Sequence, residues 1–147
     1  MSAATAFQGQ DVPASLFSDF APPEAYRPHL LGGTLWVVDG VGPPVAFLAA
    51  LIHGDRLHID ELDVLREHQG RGIGRRLLAH AIDHARARGL ARLSLTTFRA
   101  IAWNAPFYAS LGFVEWDPRD APECIRKALA KEAAFGLKDR CAMRLEL

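Results

Sequence analysis

Residues 69–74 contain three glycines, at the point where a strand-like run gives way to a helix-like run. Glycine lets the backbone adopt left-handed conformations and approach a ligand closely. The first turn of the following helix presents N–H groups that lack an intrahelical partner and carry about half a positive charge. A strand, a glycine-rich loop and a helix in immediate succession therefore predict an α/β fold and an anion-binding turn.

The glycine loop can be compared with three kinds of phosphate-binding loop. A P-loop requires Gly-Lys-Ser/Thr at the start of the helix, whereas Gly74 is followed by two arginines. A dinucleotide-binding loop requires a third glycine three residues after the second, but Arg75 or Leu77 occupies that position in the two registers. What remains is Gln-x-x-Gly-x-Gly, formed by Gln69, Gly72 and Gly74. From the loop alone, a tight turn that binds nothing stays open as the alternative.

Hydropathy and turn residues predict the other elements of the chain. Strands are predicted at residues 34–39, 45–52, 57–65, 91–98, 113–116 and 141–147. Helices are predicted at residues 73–88, 104–111 and 123–135, and prolines 22 and 23 begin a shorter one. In the third strand, alternation places Leu57, Ile59, Glu61 and Asp63 on one face.

Together these elements predict one α/β domain over residues 1–147. Its mixed sheet has about six strands, twisted and mostly antiparallel, with one parallel pair and helices on both faces. Residues 1–20 contain no convincing strand.

Composition excludes several functions. Seventeen basic and 17 acidic residues give a net charge of zero, so we expect no general nucleic-acid binding. The longest apolar run, residues 45–52, is too short for a membrane helix, and no signal peptide is recognisable. Cys124 and Cys141 follow no metal-binding pattern, and His80 and His84 lack the HExxH glutamate. We therefore expect a cytoplasmic protein without a membrane partner or metal site, with both histidines solvated.

A second motif follows the glycine loop by one helix and one strand. It consists of Asn104, a short helix that carries Tyr108, and Leu111-Gly112-Phe113 leading into a strand. Together the two motifs, in this order, resemble the GNAT superfamily of acyl-CoA-dependent N-acetyltransferases. The resemblance covers residues 34–147.

The resemblance implies a binding site for acetyl-CoA. In that family the fourth and fifth strands splay apart, and pantetheine pairs with the fourth strand, here through backbone groups of Leu62 and Val64. Asn104 would contact the cofactor arm, and Tyr108 would lie near the thioester sulfur. The pyrophosphate would be held by Gln69, Gly70, Arg71, Gly72, Ile73, Gly74 and Arg75. The family usually begins with a strand, which is here absent, degenerate or truncated.

Acetyl transfer to an amine requires a base, because a primary amine is mostly protonated at neutral pH. Glu61 is the preferred base, since many members of the family carry glutamate at this position and burial can raise the pKa of a carboxylate. Asp60 and Asp63 are weaker candidates, His53 or His58 could substitute, and a solvent-facing Glu61 is the alternative.

Two other groups complete the predicted chemistry. The Tyr108 phenol is the general acid that protonates the leaving thiolate, and the Val64 backbone N–H polarises the thioester carbonyl. A merely packed aromatic ring is the alternative for Tyr108.

The predicted function is direct transfer of an acetyl group from acetyl-CoA to a primary amine of a small molecule or peptide, within a ternary complex. A non-catalytic acyl-CoA-binding sensor and a dimeric interaction module are the alternatives. Dimers are common in the family, so a homodimer is one expected assembly.

Overall fold

The structure is a computed structural model that describes residues 5–6, 23–39, 44–101 and 104–147. Its chain divides into two compact units, Met1–Leu90 and Ala91–Leu147. The predicted absence of a strand in residues 1–20 falls almost entirely outside the described residues. Within them, Thr5–Ala6 forms a two-residue strand.

The described residues of the first unit form four strands and two α-helices. Its strands, each antiparallel to the next, are β1 (Thr5–Ala6), β2 (Leu35–Asp39), β3 (Pro44–His53) and β4 (Arg56–Val64). Its helices are α1 (Arg27–Leu31), which follows a 3-10 turn at Pro23–Tyr26, and α2 (Ile73–Ala87).

Strands β2 and β3 are buried on both faces because a layer packs on each side. On one side α2 buries an apolar stripe formed by Ile73, Leu77, Leu78, Ala81 and Ala85. On the other side, Tyr26 before α1 packs against Phe47 of β3 with Leu35, Val37 and Ala49. In the ladder between β3 and β4, Phe47 and Ala49 of this cluster lie opposite Asp63 and Glu61.

The two histidines of α2 differ from the prediction. His80 and His84 are half-buried, and their rings lie 5.6 and 5.0 Å from the ring of Trp36, which is only 1% exposed. Burial, followed by the charges of Arg88 and His80, lowers the pKa of His84. The expectation of solvated side chains is therefore wrong for this pair. Among the described residues, no group of three His, Cys, Asp or Glu side chains is arranged to hold a metal.

A β-bulge interrupts β4. Ala49 of β3 pairs with Glu61, but Ala50 pairs with Ile59, so Asp60 is an extra residue in the ladder. Because each bulge shifts the alternation by one, Ile59 lies on the opposite face from Glu61. The predicted shared face of these two residues is wrong, since regular alternation assumes an unbroken ladder.

In the second unit, the part of the chain that the structure describes forms three strands and two helices. Strand β7 (Arg140–Glu146) pairs antiparallel with both β5 (Arg92–Phe98) and β6 (Val114–Trp116). Ile125 of the longer helix packs with Trp116, Ala121 and Ala142. The elements are β5 (Arg92–Phe98), α3 (Ala105–Ser110), β6 (Val114–Trp116), α4 (Glu123–Ala134) and β7 (Arg140–Glu146).

The predicted bounds of the strands from residue 34 onwards and of the three longer helices differ from the observed ones by at most one residue at either end. Pro23 begins the 3-10 turn that leads into α1, as the proline signal indicated, while Pro22 lies outside the described residues. No helix in the described part of the chain has the length and apolar character needed to cross a membrane.

Candidate active site

The glycine loop joins β4 to α2. Gly70 and Gly72 have φ angles of 79° and 77°, a region that strongly favours glycine. Gly72 is the N-cap of α2, and the first intrahelical bond runs from the Arg76 N–H to the Gly72 carbonyl at 3.1 Å. The N–H groups of Ile73 and Gly74 consequently have no intrahelical acceptor. The loop therefore has the backbone form of an anion-binding turn.

A side-chain hydrogen bond connects the loop to the end of β4. Gln69 Nε2 donates to the Val64 carbonyl oxygen at 3.0 Å, although Gln69 is itself exposed. Leu65, the residue that follows Val64, donates its N–H to the Val45 carbonyl at 2.8 Å. Arg71 and Arg75 are exposed, so the loop carries two accessible cationic side chains beside its glycines.

A polar cluster, formed by Tyr26, Glu61 and Asp63, occupies one face of β4. The Tyr26 hydroxyl donates a 3.0 Å hydrogen bond to Glu61 Oε1, and Asp63 lies two residues after Glu61 on the same face of the strand. Burial first, and then the hydrogen bond and charge of Glu61, raise the pKa of Asp63 to about 8. Burial and the Glu61 charge also raise the pKa of Tyr26. The predicted base Glu61 is thus half-buried within a hydrogen-bonded network.

The bulged residue Asp60 belongs to a separate group of side chains. Its Oδ2 lies 2.7 Å from Nε2 of the buried His29, and its Oδ1 lies 3.6 Å from Nε2 of His58. Arg56 Nη1 lies 3.5 Å from Nδ1 of His58. Asp60 is therefore paired with histidines, whereas Glu61 is paired with Tyr26.

In the second unit, the structure places Asn104 beside the end of β5. The hydroxyl of Thr97, which is 3% exposed, donates to Asn104 Oδ1 at 2.7 Å. This bond occupies the carbonyl end of the amide, so its NH₂ end is the one that can donate to a ligand. Thr97 therefore fixes the orientation of the predicted cofactor-contacting residue.

Tyr108 lies on α3, one turn after the N-cap Asn104. Its N–H donates to the Asn104 carbonyl at 3.0 Å, and its ring is 5.2 Å from that of Phe107 and 5.6 Å from that of Phe113. The side chain is half-buried. The aromatic neighbours hold the ring in place, and the hydroxyl is the part of this residue that can transfer a proton.

Sequence reasoning missed two residues that orient the predicted site. Tyr26 falls in the least patterned part of the chain, and no spacing connects it with Glu61, 35 residues later. Thr97 lies in a strand between the two motifs and belongs to neither of them. A hydroxyl on a buried strand requires a hydrogen-bond partner, and this requirement was the one available signal for its role.

Comparison of the sequence with models of known protein families identifies the family of this chain. The model of the Acetyltransferase (GNAT) family matches residues 4–113. The chain belongs to this family of acetyltransferases, which confirms the resemblance drawn from the two motifs.

One curated relative and two solved structures illustrate the likeness. Streptothricin acetyltransferase from Streptomyces lavendulae is 36% identical over 81 residues, which are 53% of this chain and 43% of that protein. N-acetylglutamate synthase from Neisseria gonorrhoeae, solved with coenzyme A and N-acetyl-glutamate, is 22% identical with a TM-score of 0.81 over 99% of this chain and 35% of that chain. The ribosomal-protein-S18-alanine N-acetyltransferase from Escherichia coli is 23% identical with a TM-score of 0.73, over 99% and 94% of the two chains.

These structures confirm the predicted fold class, an α/β fold with a mixed, mostly antiparallel sheet of the GNAT type. The match spans less than half the length of the curated relative and about a third of the synthase chain.

Proposed function

We propose that the protein is an acetyl-CoA-dependent N-acetyltransferase that modifies a primary amine of a small molecule or peptide. The observation that carries the proposal is the loop at residues 69–74. There, two left-handed glycines lead into the open N-terminus of α2, and Gln69 joins the loop to the end of β4. Family membership supports the acetyl donor, since the related synthase from Neisseria gonorrhoeae was solved with coenzyme A.

The residues of the loop fit a pyrophosphate. Gly70 and Gly72 have no side chain to obstruct a close approach, and the space that a Cβ atom would enter at each is open. The N–H groups of Ile73 and Gly74 would donate to phosphate oxygens, supported by the positive end of the helix dipole. Arg71 and Arg75 would add charge-assisted contacts. Leu62 and Val64 would pair with the pantetheine arm through backbone groups, and the Asn104 amide would donate to it.

Bound acetyl-CoA would supply an activated acetyl group. Glu61 would bind the incoming ammonium and accept its proton at a carboxylate oxygen, which produces the free amine required for attack. The Val64 N–H would donate to the oxygen on which negative charge develops. The Tyr108 hydroxyl would hold the proton needed at the departing sulfur. A thiol has a pKa near 8.5 and a phenol near 10, so this transfer needs little tuning.

Thermal unfolding with acetyl-CoA, ATP or NAD tests the cofactor assignment. A ligand at a hundred times its dissociation constant adds about 2.7 kcal/mol of stability, which raises the midpoint by several degrees. We expect a shift with acetyl-CoA that neither ATP nor NAD reproduces. The same shift with ATP, or no shift at all, would contradict the assignment.

Release of CoA thiol in the presence of amines then tests catalysis. A suitable panel contains ethanolamine, glycinamide, L-lysine, spermidine and a tetrapeptide with a free N-terminus. Amine-dependent thiol release is the expected result. Binding of acetyl-CoA without release by any amine of the panel would instead indicate an acyl-CoA sensor.

A further inference from the structure

We propose that Glu61 and Asp63 act as one carboxyl pair that holds a single proton at neutral pH, with Asp63 and Tyr26 as positioning residues that set the basicity of the pair. The proposal rests on the proposed function and deepens it. It assigns roles to two side chains that the family resemblance does not assign.

The backbone of β4 brings the two carboxyl groups together. Glu61 and Asp63 follow the bulge at Asp60, so they are separated by one residue in regular strand and lie on the same face. At this spacing the two carboxyl groups are close enough to form a hydrogen bond, and such a bond is among the causes that raise the pKa of Asp63. Two ionised carboxylates have only acceptor atoms, so this bond requires a proton on one of them.

The surroundings disfavour two full charges. In the ladder with β3, Asp63 lies opposite Phe47 and Glu61 lies opposite Ala49, and both β3 residues are fully buried. Tyr26 packs edge-on against Phe47 at 5.5 Å and covers the same apolar cluster. Burial is accordingly the largest cause that raises the pKa of Asp63. In such surroundings, a proton shared by the two carboxyl groups removes one negative charge and so relieves the repulsion between them.

The titratable and charged groups near this pair come from the 3-10 turn, α1, β3 and β4. Tyr26, in the 3-10 turn before α1, donates its hydroxyl to Glu61 Oε1 at 3.0 Å. His29 of α1 and His58 of β4 are directed instead to Asp60, at 2.7 and 3.6 Å. In the ladder, His53 of β3 pairs with Arg56, which reaches His58. No cation is thus placed against the pair among the described residues of these elements, and Tyr26 is its fixed donor.

The pair is a better base than a lone carboxylate. A glutamate of ordinary pKa, about 4.3, lies roughly six units below a lysine-like ammonium of about 10.4. The doubly ionised pair instead accepts a proton with the raised pKa of Asp63, about 8. A base whose pKa is near the working pH transfers protons more effectively. The proton leaves the substrate nitrogen, becomes shared by the two carboxylates and later passes to water.

Infrared spectroscopy of the ligand-free protein tests the shared proton directly. The wild type near pH 7 should show a protonated-carboxyl stretch that disappears near pH 9 and is lost in Asp63→Asn. The matched change Asp60→Asn, on the adjacent residue, should leave the band unchanged. Absence of a band that depends on Asp63 would overturn the pair. Since no cofactor or amine is used, this result is independent of whether the proposed function holds.

The pH profile of kcat/KM tests the role of the pair, with acetyl-CoA and the fastest amine of the panel above. The wild-type rate should rise with pH up to about 8. Asp63→Asn should move this limb to lower pH by about one unit or more and reduce the rate at high pH, because the neighbouring charge is gone. Tyr26→Phe should move it to higher pH, since the lost hydroxyl favours the ionised form.

Asp60→Asn should leave the limb in place, because its partners are His29 and His58. If Asp63 and Tyr26 had a purely structural role, both substitutions would lower activity, but the rising limbs of the two pH profiles would not move in opposite directions. An identical limb in the wild type and Asp63→Asn would refute the role of the pair. A shared proton without turnover would refute this role together with the proposed function.

Discussion

The Gln69 side-chain amide donates a 3.0 Å hydrogen bond to the backbone carbonyl of Val64, which is the last residue of β4. The bond connects the residue that begins the glycine motif with a backbone predicted to pair with the cofactor. Gln69 therefore orients the loop relative to the strand end, in addition to any contact with phosphate.

Replacing Gln69 should weaken acetyl-CoA binding. Loss of one neutral hydrogen bond costs about 1 kcal/mol, so Gln69→Ala should raise the dissociation constant about fivefold. Gln69→Glu should raise it further, because the carboxylate cannot donate to Val64 and repels phosphate. Isothermal titration calorimetry measures both variants. Wild-type affinity in Gln69→Ala would show that the bond to Val64 has no part in binding.

Gly72 should be sensitive to substitution in two ways. Its φ of 77° is strained for any residue with a Cβ, so Gly72→Ala should cost about 1 kcal/mol of folding stability. The new methyl group should also weaken acetyl-CoA binding, because it stands where the backbone would approach the pyrophosphate. Chemical denaturation and calorimetry separate the two effects.

Gly54 provides the matched control, since it lies in the turn between β3 and β4 with a φ of 62° and open space around its missing Cβ. Gly54→Ala should cost comparable stability and leave the affinity for acetyl-CoA unchanged. Equal losses of affinity in the two variants would indicate that strain, and not the loop's contact with ligand, is responsible.

The sequence predicted most of the fold because its elements have strong, regular signals. Strands β2 and β3 are continuous apolar runs, and α2 repeats apolar residues with helical spacing between the glycines at 72 and 89. The bulge at Asp60 has no comparable signal, since it adds one residue to a strand without a glycine or proline. For this reason the regular alternation predicted the wrong neighbours for Glu61 on its face of the strand.

The candidate site was predictable where it follows a local motif. The glycine loop, Asn104 and Tyr108 lie within short segments whose order in the chain is informative. Tyr26 and Thr97 act through tertiary hydrogen bonds to Glu61 and Asn104, and such pairs become visible only after folding. Asp63 is a similar case, because its raised pKa arises from burial opposite Phe47 in the ladder and from its neighbour Glu61.

Removal of the Tyr108 hydroxyl should affect turnover and not binding. Tyr108→Phe keeps the ring packing against Phe107 and Phe113, so the fold and acetyl-CoA affinity should be retained. Loss of the general acid should lower kcat at least about tenfold. The same change at Tyr26, the other tyrosine of the chain, should shift the pH profile instead. Near-normal kcat in Tyr108→Phe would reject the acid role.

Asp63 should make folding stability depend on pH. Its pKa is 3.8 in the unfolded reference and about 8 in the folded protein, so the folded state favours the protonated form. The stability that this group contributes is present in full below pH 3.8, declines as the pH rises and is lost above about 8. Asp63→Asn removes this dependence, so the variant should gain stability relative to the wild type as the pH increases from about 4 to about 8.

Urea denaturation at a series of pH values measures the difference between the two proteins, with Asp117→Asn as the control. Asp117 has the opposite shift, to about 2, caused first by its side-chain hydrogen bond with Arg119. Its contribution is present above pH 3.8 and lost as the pH falls toward 2, so Asp117→Asn should differ from the wild type by a constant amount between about pH 5 and 9. A constant difference for Asp63→Asn over the same range would contradict a protonated Asp63. A difference that grows with pH and levels off near 8 would place the shared proton in the folded protein before any substrate binds.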